Sequence, residues 1–249
     1  MKRLAVLSVV CISMFLPFVA AAHDVFPPDW RGLDGTTYQE WQFGSNATPA
    51  VPDVINNIYG GASASVTVGE FGEGWLANPG LGTQTGIWDL GGTGGQIVLD
   101  IDNRPLPLDY KEIWVQVTYY QAISVAPTVA VLGAQFISSQ TTLIEADGAL
   151  GGWYLDQSVW RIKPKPSHEQ IILTSNPSWG SVIDQIVVDT ASIHADCIVD
   201  FDDLLRFCEQ WLQTGSNLEF DLDNSGRVDF KDFSIFANSW LDICPRGEN

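Results

Sequence analysis

Near the end of the chain, Asp221-Leu-Asp223-Asn-Ser225-Gly226-Arg227-Val228-Asp229-Phe-Lys-Asp232 sets oxygen-bearing side chains at positions 1, 3, 5, 9 and 12 of one loop. Glycine holds position 6, where the turn is sharpest, and Arg227 at position 7 offers its backbone carbonyl. Hard oxygens at this spacing suit Ca²⁺, which takes six to eight such donors around one tight turn. The loop therefore predicts a calcium site made of Asp221, Asp223, Ser225, Arg227, Asp229 and Asp232. Val228 at position 8 is apolar, as expected where paired loops hold each other through that residue.

The segment Val199–Leu212 returns 29 positions later as Val228–Leu241, with seven of fourteen residues identical. Repetition at a fixed period implies one supersecondary unit used twice, neither half able to bury its apolar face alone. Each unit reads as a loop followed by a helix. Leu204, Cys208, Trp211 and Leu212 are predicted on one helical face, and Phe233, Phe236, Ala237, Trp240 and Leu241 on the other. Gln213–Asn217 is too polar and glycine-rich to enter the second loop as a helix, so each unit is half of an EF-hand.

Over residues 191–244 this combination resembles the type I dockerin, a module of two tandem calcium-loop-plus-helix repeats. In the register of the first repeat, Ser192, His194, Asp196, Cys197, Asp200 and Asp203 take positions 1, 3, 5, 6, 9 and 12. His194 is a soft ligand for calcium and Cys197 stands where the turn wants glycine, so Asp196, Asp200 and Asp203 define a weak second site. The resemblance implies a cohesin-like partner, docked through positions 10 and 11 of the loops. Those are Phe201-Asp202 and Phe230-Lys231 here, which depart from the small hydroxyl pairs of cellulosomal members. A capping role for the tail is the alternative. The antiparallel packing of such repeats also implies a Cys197–Cys244 disulfide closing the module, with Cys208 a buried thiol.

Elements that would position these residues follow from the rest of the chain. Residues 1–22 have a basic start (Lys2, Arg3), an apolar run and the Ala20-Ala21-Ala22 triplet, the pattern of a cleaved secretory signal. Pro17 and the triplet favour cleavage over an uncleaved anchor. The expected protein is secreted or extracellular, associated with a cell surface in one version, with no membrane insertion after cleavage. Beyond the signal ten basic residues face thirty acidic ones, a balance that repels nucleic acid and anionic lipid and leaves neutral ligands.

Residues 23–190 show short alternating or apolar runs separated by glycine, proline and asparagine, the longest being Glu112–Gln121, Thr128–Phe136, Gly152–Ile162 and Val182–Thr190. Ten such runs predict a mainly β fold, a jelly-roll-type β-sandwich, followed from 191 to 249 by the small α-helical module. The closing strand Ser181–Thr190 resembles the last strand of galactose-binding-like and carbohydrate-binding jelly rolls. Gly91-Gly92-Thr93-Gly94-Gly95 reads as a hairpin turn between two strands, since no lysine or helix follows it to cradle phosphate.

Eight of the ten tryptophans lie in this domain, and flat aromatic rings stack on the C–H faces of sugars. Along Glu112–Gln121, Ile113, Val115, Val117 and Tyr119 alternate with Trp114, Gln116, Thr118 and Tyr120. The second set would form a strip about 20 Å long, suited to a neutral polysaccharide. The alternative is that a loop covers it. No Ser/His, Cys/His or HExxH arrangement is present, and Glu40, Glu112 and Glu145 stand singly, so catalysis is not expected. The reading is a non-catalytic binding protein in a polysaccharide-utilisation setting. A jelly-roll glycoside hydrolase and a structural cell-surface protein are its alternatives.

Overall fold

A computed structural model describes residues 24–33, 35–103, 110–148, 151–163, 166, 168–193, 199–216 and 218–241. The chain is mainly β, with antiparallel sheets and two helices. The strands are β1 (Thr36–Trp41), β2 (Val54–Asn56), β3 (Ala62–Thr67), β4 (Gly74–Leu76), β5 (Ile87–Asp89) and β6 (Gln96–Asp102), then β7 (Tyr110–Gln121), β8 (Thr128–Val131), β9 (Ala134–Asp147), β10 (Gly151–Ile162), β11 (His168–Thr174) and β12 (Val182–Ile193). Helices α1 (Phe201–Glu209) and α2 (Phe230–Ala237) follow.

A large sheet of eight strands runs β2-β1-β12-β7-β10-β9, with β5 against the start of β12 and β4 on β5. A small sheet of four runs β3-β6-β11-β8. Alternation along each strand sends one set of side chains inward. Val115, Val117, Ile186 and Val188 of the large sheet share one core with Ile97, Leu99, Ile171 and Leu173 of the small one. The arrangement is consistent with a β-sandwich.

Three sequence expectations change here. The run Thr128–Phe136 is two strands, because Gly133 at φ 74 turns the chain from β8 in the small sheet to β9 in the large one. The glycine cluster 91–95 is no hairpin: it carries the chain from β5 in the large sheet to β6 in the small one. The closing strand runs on to Ile193, so Ser192 belongs to the sandwich; its amide donates to the Gly35 carbonyl at 3.0 Å.

An ion pair crosses the core. Lys111 on β7 and Glu169 on β11 meet at 2.5 Å with both side chains fully enclosed, and Lys111 Nζ also donates to Asn103 Oδ1. Burial lowers the Lys111 pKa from its ordinary value, and the Glu169 carboxylate opposes that fall. Removing one partner strands the other charge in an apolar interior. Lys111→Met alone is expected to cost about 3–5 kcal/mol in urea unfolding, and Lys111→Met with Glu169→Leu to recover most of that loss.

The two repeats of the tail pack as a pseudo-two-fold pair. Leu212 N donates to Val228 O and Leu241 N donates to Val199 O, both at 2.9 Å. Leu212 and Leu241 take matching left-handed conformations, φ 63 and φ 64. Trp211 meets Phe230 edge to face at 5.0 Å, and Trp240 meets Phe201 the same way at 5.1 Å. Phe207 and Phe236, equivalent in the repeat, touch each other at 5.3 Å in the middle of the tail core. Neither helix could bury its aromatic face alone, which is the physical content of the repeat.

The side-chain faces also differ from expectation. Phe207 takes the buried place on α1 and Cys208 is exposed. The helix turns on Phe207 because it is the larger apolar group, so the adjacent thiol faces outward. Val228 is buried, but its backbone pairs with Leu212 and Gln213 at the end of the first unit, not with the facing loop. Cys197 and Cys244 lie outside the described residues, as do the signal region 1–22, His194 and Asp196. Among the described residues no helix is long and apolar enough to cross a membrane.

Candidate metal centre

The loop before α2 folds around its own carboxylates. Asp221 accepts from the amides of Ser225 at 2.9 Å and Gly226 at 2.7 Å, so the first ligand position also closes the turn. That turn needs two left-handed residues, Asn224 at φ 54 and Gly226 at φ 83. Asp232, fully buried, accepts from the amides of Leu222 at 2.7 Å, Asp223 at 3.1 Å and Asp229 at 2.7 Å. One side chain at position 12 thus ties the start of the loop to the start of the helix.

Carboxylate oxygens of Asp221, Asp223 and Asp232 lie within 4.8 Å of one another. Like charges at this separation repel unless a cation lies between them. Ser225 donates to the Arg227 carbonyl at 3.2 Å, which puts the position 5 hydroxyl and the position 7 carbonyl side by side. The donors are all hard oxygens, so this set fits calcium. The bond from Ser225 holds the Asp223 pKa below its ordinary value, and Lys231, 3.9 Å away, adds to this.

Asp229 stands apart. Its carboxylate caps α2 by accepting from the Lys231 amide at 2.9 Å, and it is not in the cluster of three. In the first repeat one half of that capping box recurs, with Asp200 N donating to Asp203 Oδ2 at 3.1 Å, but Ser192, the expected first ligand there, is locked in β12. The strand takes the place of the loop's beginning, so the second site loses position 1.

The aromatic strip is covered. Gln116, Thr118 and Tyr120 are buried and Trp114 is half-buried, because β7 is central in the large sheet and residues 24–31 cross its outer face. Phe26 N donates to Gln116 Oε1 at 3.1 Å, and Gln116 Nε2 donates to Asp24 Oδ1 at 2.8 Å. Trp30 packs edge to face on Trp114 at 6.0 Å, while Trp153 from β10 does the same to Tyr120 at 5.2 Å. Arg31 fastens the crossing segment by pairing with both Asp24 and Asp189. An open groove along these four residues is therefore not what they form.

Of the three single glutamates, Glu145 is the one whose charge is felt by another carboxyl, that of Asp184. The Glu145 oxygens accept from Thr83 N at 3.1 Å, Thr83 Oγ1 at 2.8 Å and Gln84 Nε2 at 3.1 Å. Asp184 sits where the β12–β7 register slips between Ile183 and Gln185, and the bulge turns it into the buried margin of the same face. Burial pushes its carboxyl up to about 7, and the charge of Glu145 adds to the rise. The sequence carried a signal for this. Adjacent polar residues Asp184-Gln185 interrupt an otherwise apolar strand, which is how a bulge announces itself. Glu40 accepts from Gln185 at 2.8 Å and from Tyr38, and Glu112 from Trp114 at 2.9 Å and Arg161 at 3.3 Å.

Comparison with protein-family models gives no match, and comparison with curated proteins gives none either.

The raised Asp184 pKa sets a sign for pH. Between about pH 4 and pH 7 the unfolded chain has lost a proton that the folded chain keeps, so folding stability falls as pH rises through that window. The slope from this group is at most about 1.4 kcal/mol per pH unit, and Asp189, raised to about 6 by burial, acts in the same direction at lower pH. Asp184→Asn is expected to flatten the fall of Tm between pH 5 and pH 7 without removing it. A Tm profile parallel to that of the parent chain would contradict this.

Proposed function

We propose that this is a secreted, non-catalytic, two-module protein. Its tail is a calcium-binding, dockerin-like module, and its sandwich, of jelly-roll type, binds a neutral glycan or another extracellular ligand. The observation that carries the proposal is the convergence of Asp221, Asp223 and Asp232 within 4.8 Å about a glycine turn. Three carboxylates held so close gain most from a divalent cation, and the pseudo-two-fold pairing of the units is the form two mutually dependent loop-helix repeats would take. Docking to a cohesin-like partner is supported by the exposed rings at the tenth loop positions, Phe201 and Phe230, 74% and 77% exposed.

For the sandwich, the glycan reading moves from the covered strip to the loops. Trp179 and Phe71 are 68% and 97% exposed. Both loops press on the glycine cluster: Gly180 would meet the Gly91 carbonyl at 3.0 Å with any added Cβ, and Gly92 N donates to Glu70 O at 2.7 Å. Rings held outward on fixed backbone supply sugar-stacking surface at little entropic cost. A glycoside hydrolase finds support only in Glu145 and Asp184, two carboxyl groups in unlike environments, and the burial of Asp184 speaks against its reaching a polymeric substrate.

Calorimetric titration of the mature chain is expected to give one strong calcium site, lost in Asp221→Ala. Chelation is expected to open the tail to trypsin at Arg206, Arg227 and Lys231 while the sandwich stays resistant. Equal protection with and without calcium would remove the metal reading. Retention on a panel of polysaccharides, lost in Trp179→Ala, tests the glycan reading separately.

A further inference from the structure

Among the described residues, strand β9 ends the large sheet and pairs on one side only, with β10. It is fourteen residues long, and every residue from Gln135 to Leu143 is exposed. Strand edges of this kind offer a row of unpaired amides and carbonyls, and proteins ordinarily blunt them with lysine, proline or a bulge. Here β9 has no proline, and no charged residue stands from Gln121 to Ile144, in a chain of net charge −18. The two register slips in β9 fall at its ends, beside Ile144 and Ile137, and leave Ser138–Leu143 as a regular uncharged ladder between them.

We infer that this edge is a self-association surface, through which two copies of the chain pair antiparallel and join their large sheets into one. Antiparallel pairing about a two-fold axis normal to the sheet keeps like faces together and centres on Gln140 or Thr141. Each Ser, Thr or Gln then meets another uncharged side chain. The nearest carboxylates are those of Asp156 on β10, which accepts from Thr141 Oγ1 at 2.7 Å one strand in from the edge; across the axis the two come to lie about 10–15 Å apart, beyond the screening length of about 8 Å at physiological salt. A second copy suits the edge better than other occupants for two reasons. The other described edges are short, with β2 and β4 at three residues, β8 at four and β3 at six, so only β9 matches β9 in length. The strong net charge also makes two copies repel over most of their surface, and the uncharged edge is where they can approach. Exposed Phe136, Ile137 and Leu143 flank the ladder and would be covered as it forms.

Sedimentation of the mature chain, with calcium present, tests this over roughly a hundredfold range of concentration. The expected result is a reversible monomer–dimer equilibrium that strengthens with added salt, because salt screens repulsion and the contact has no ion pairs to lose. Gln140→Lys, on the face away from Asp156, sets two lysines at or beside the axis and is expected to weaken the dimer at least about tenfold. An equimolar mixture of Gln140→Lys and Gln140→Glu is expected to restore it as a heterodimer, a recovery that a folding defect would not give. Ser139→Lys serves if Gln140→Lys loses its circular dichroism. A parent chain that stays monomeric throughout, or a Gln140→Lys chain as dimeric as the parent, overturns the inference.

Discussion

The large sheet is buried on both faces of its central strands, and most of the sandwich follows from that constraint. One face of β7 and β12 meets the small sheet; the other is crossed by residues 24–31. Polar side chains on such strands must find partners inside the protein, since leaving one unpaired costs about 1–3 kcal/mol. Gln116 therefore takes Asp24 and Phe26, Asp189 takes Arg31, and Gln185 takes Glu40. Asp184 is held up to about 7 by burial, with the charge of Glu145 adding to the rise.

The same sealing decides where a ligand could be met. Rings on the sheet are spent on internal packing: Trp30 on Trp114, Trp153 on Tyr120, Phe136 on Trp160. Exposed aromatic surface survives at the loop end, on Phe71 and Trp179, where glycines let three backbone segments come together without side chains between them. The ends of the sheet obey a different rule. An edge strand has its backbone satisfied on one side, so its chemistry is set by main-chain groups and by the absence of charge more than by any particular side chain.

In the tail, local and tertiary effects reinforce each other. Asp232 is at once the last position of the acidic loop, a clamp on three amides and the partner of the Asp229 cap, so that loop and helix α2 share one carboxylate. The first unit keeps its helix and the bond from Asp200 N to Asp203 but gives Ser192 to the sandwich. The two units therefore stay alike in packing, while among the described residues only the second brings three carboxylates together.

The sequence by itself determined the class of fold, the tail's loop-helix repeat and the crowding of carboxylates around the second loop's glycine turn. Each of these rests on short-range pattern: alternation of period two, a repeat at a fixed spacing, and oxygens set around a glycine within one turn. Most strand runs came out in place for the same reason, but the short β2 and β4 gave no run, β9 continues unbroken past Phe136, and Gly133 and the cluster at 91–95 hide a change of sheet. Which side of a strand is open was decided only by tertiary structure. Alternation correctly separates Trp114, Gln116, Thr118 and Tyr120 from their neighbours, but it is silent about a segment some ninety positions away that lies across them. The Lys111–Glu169 pair, the Asp184–Glu145 encounter and the exposure of Cys208 are of the same kind. Each depends on which distant residue arrives opposite, and burial and charge pairing are properties of that meeting.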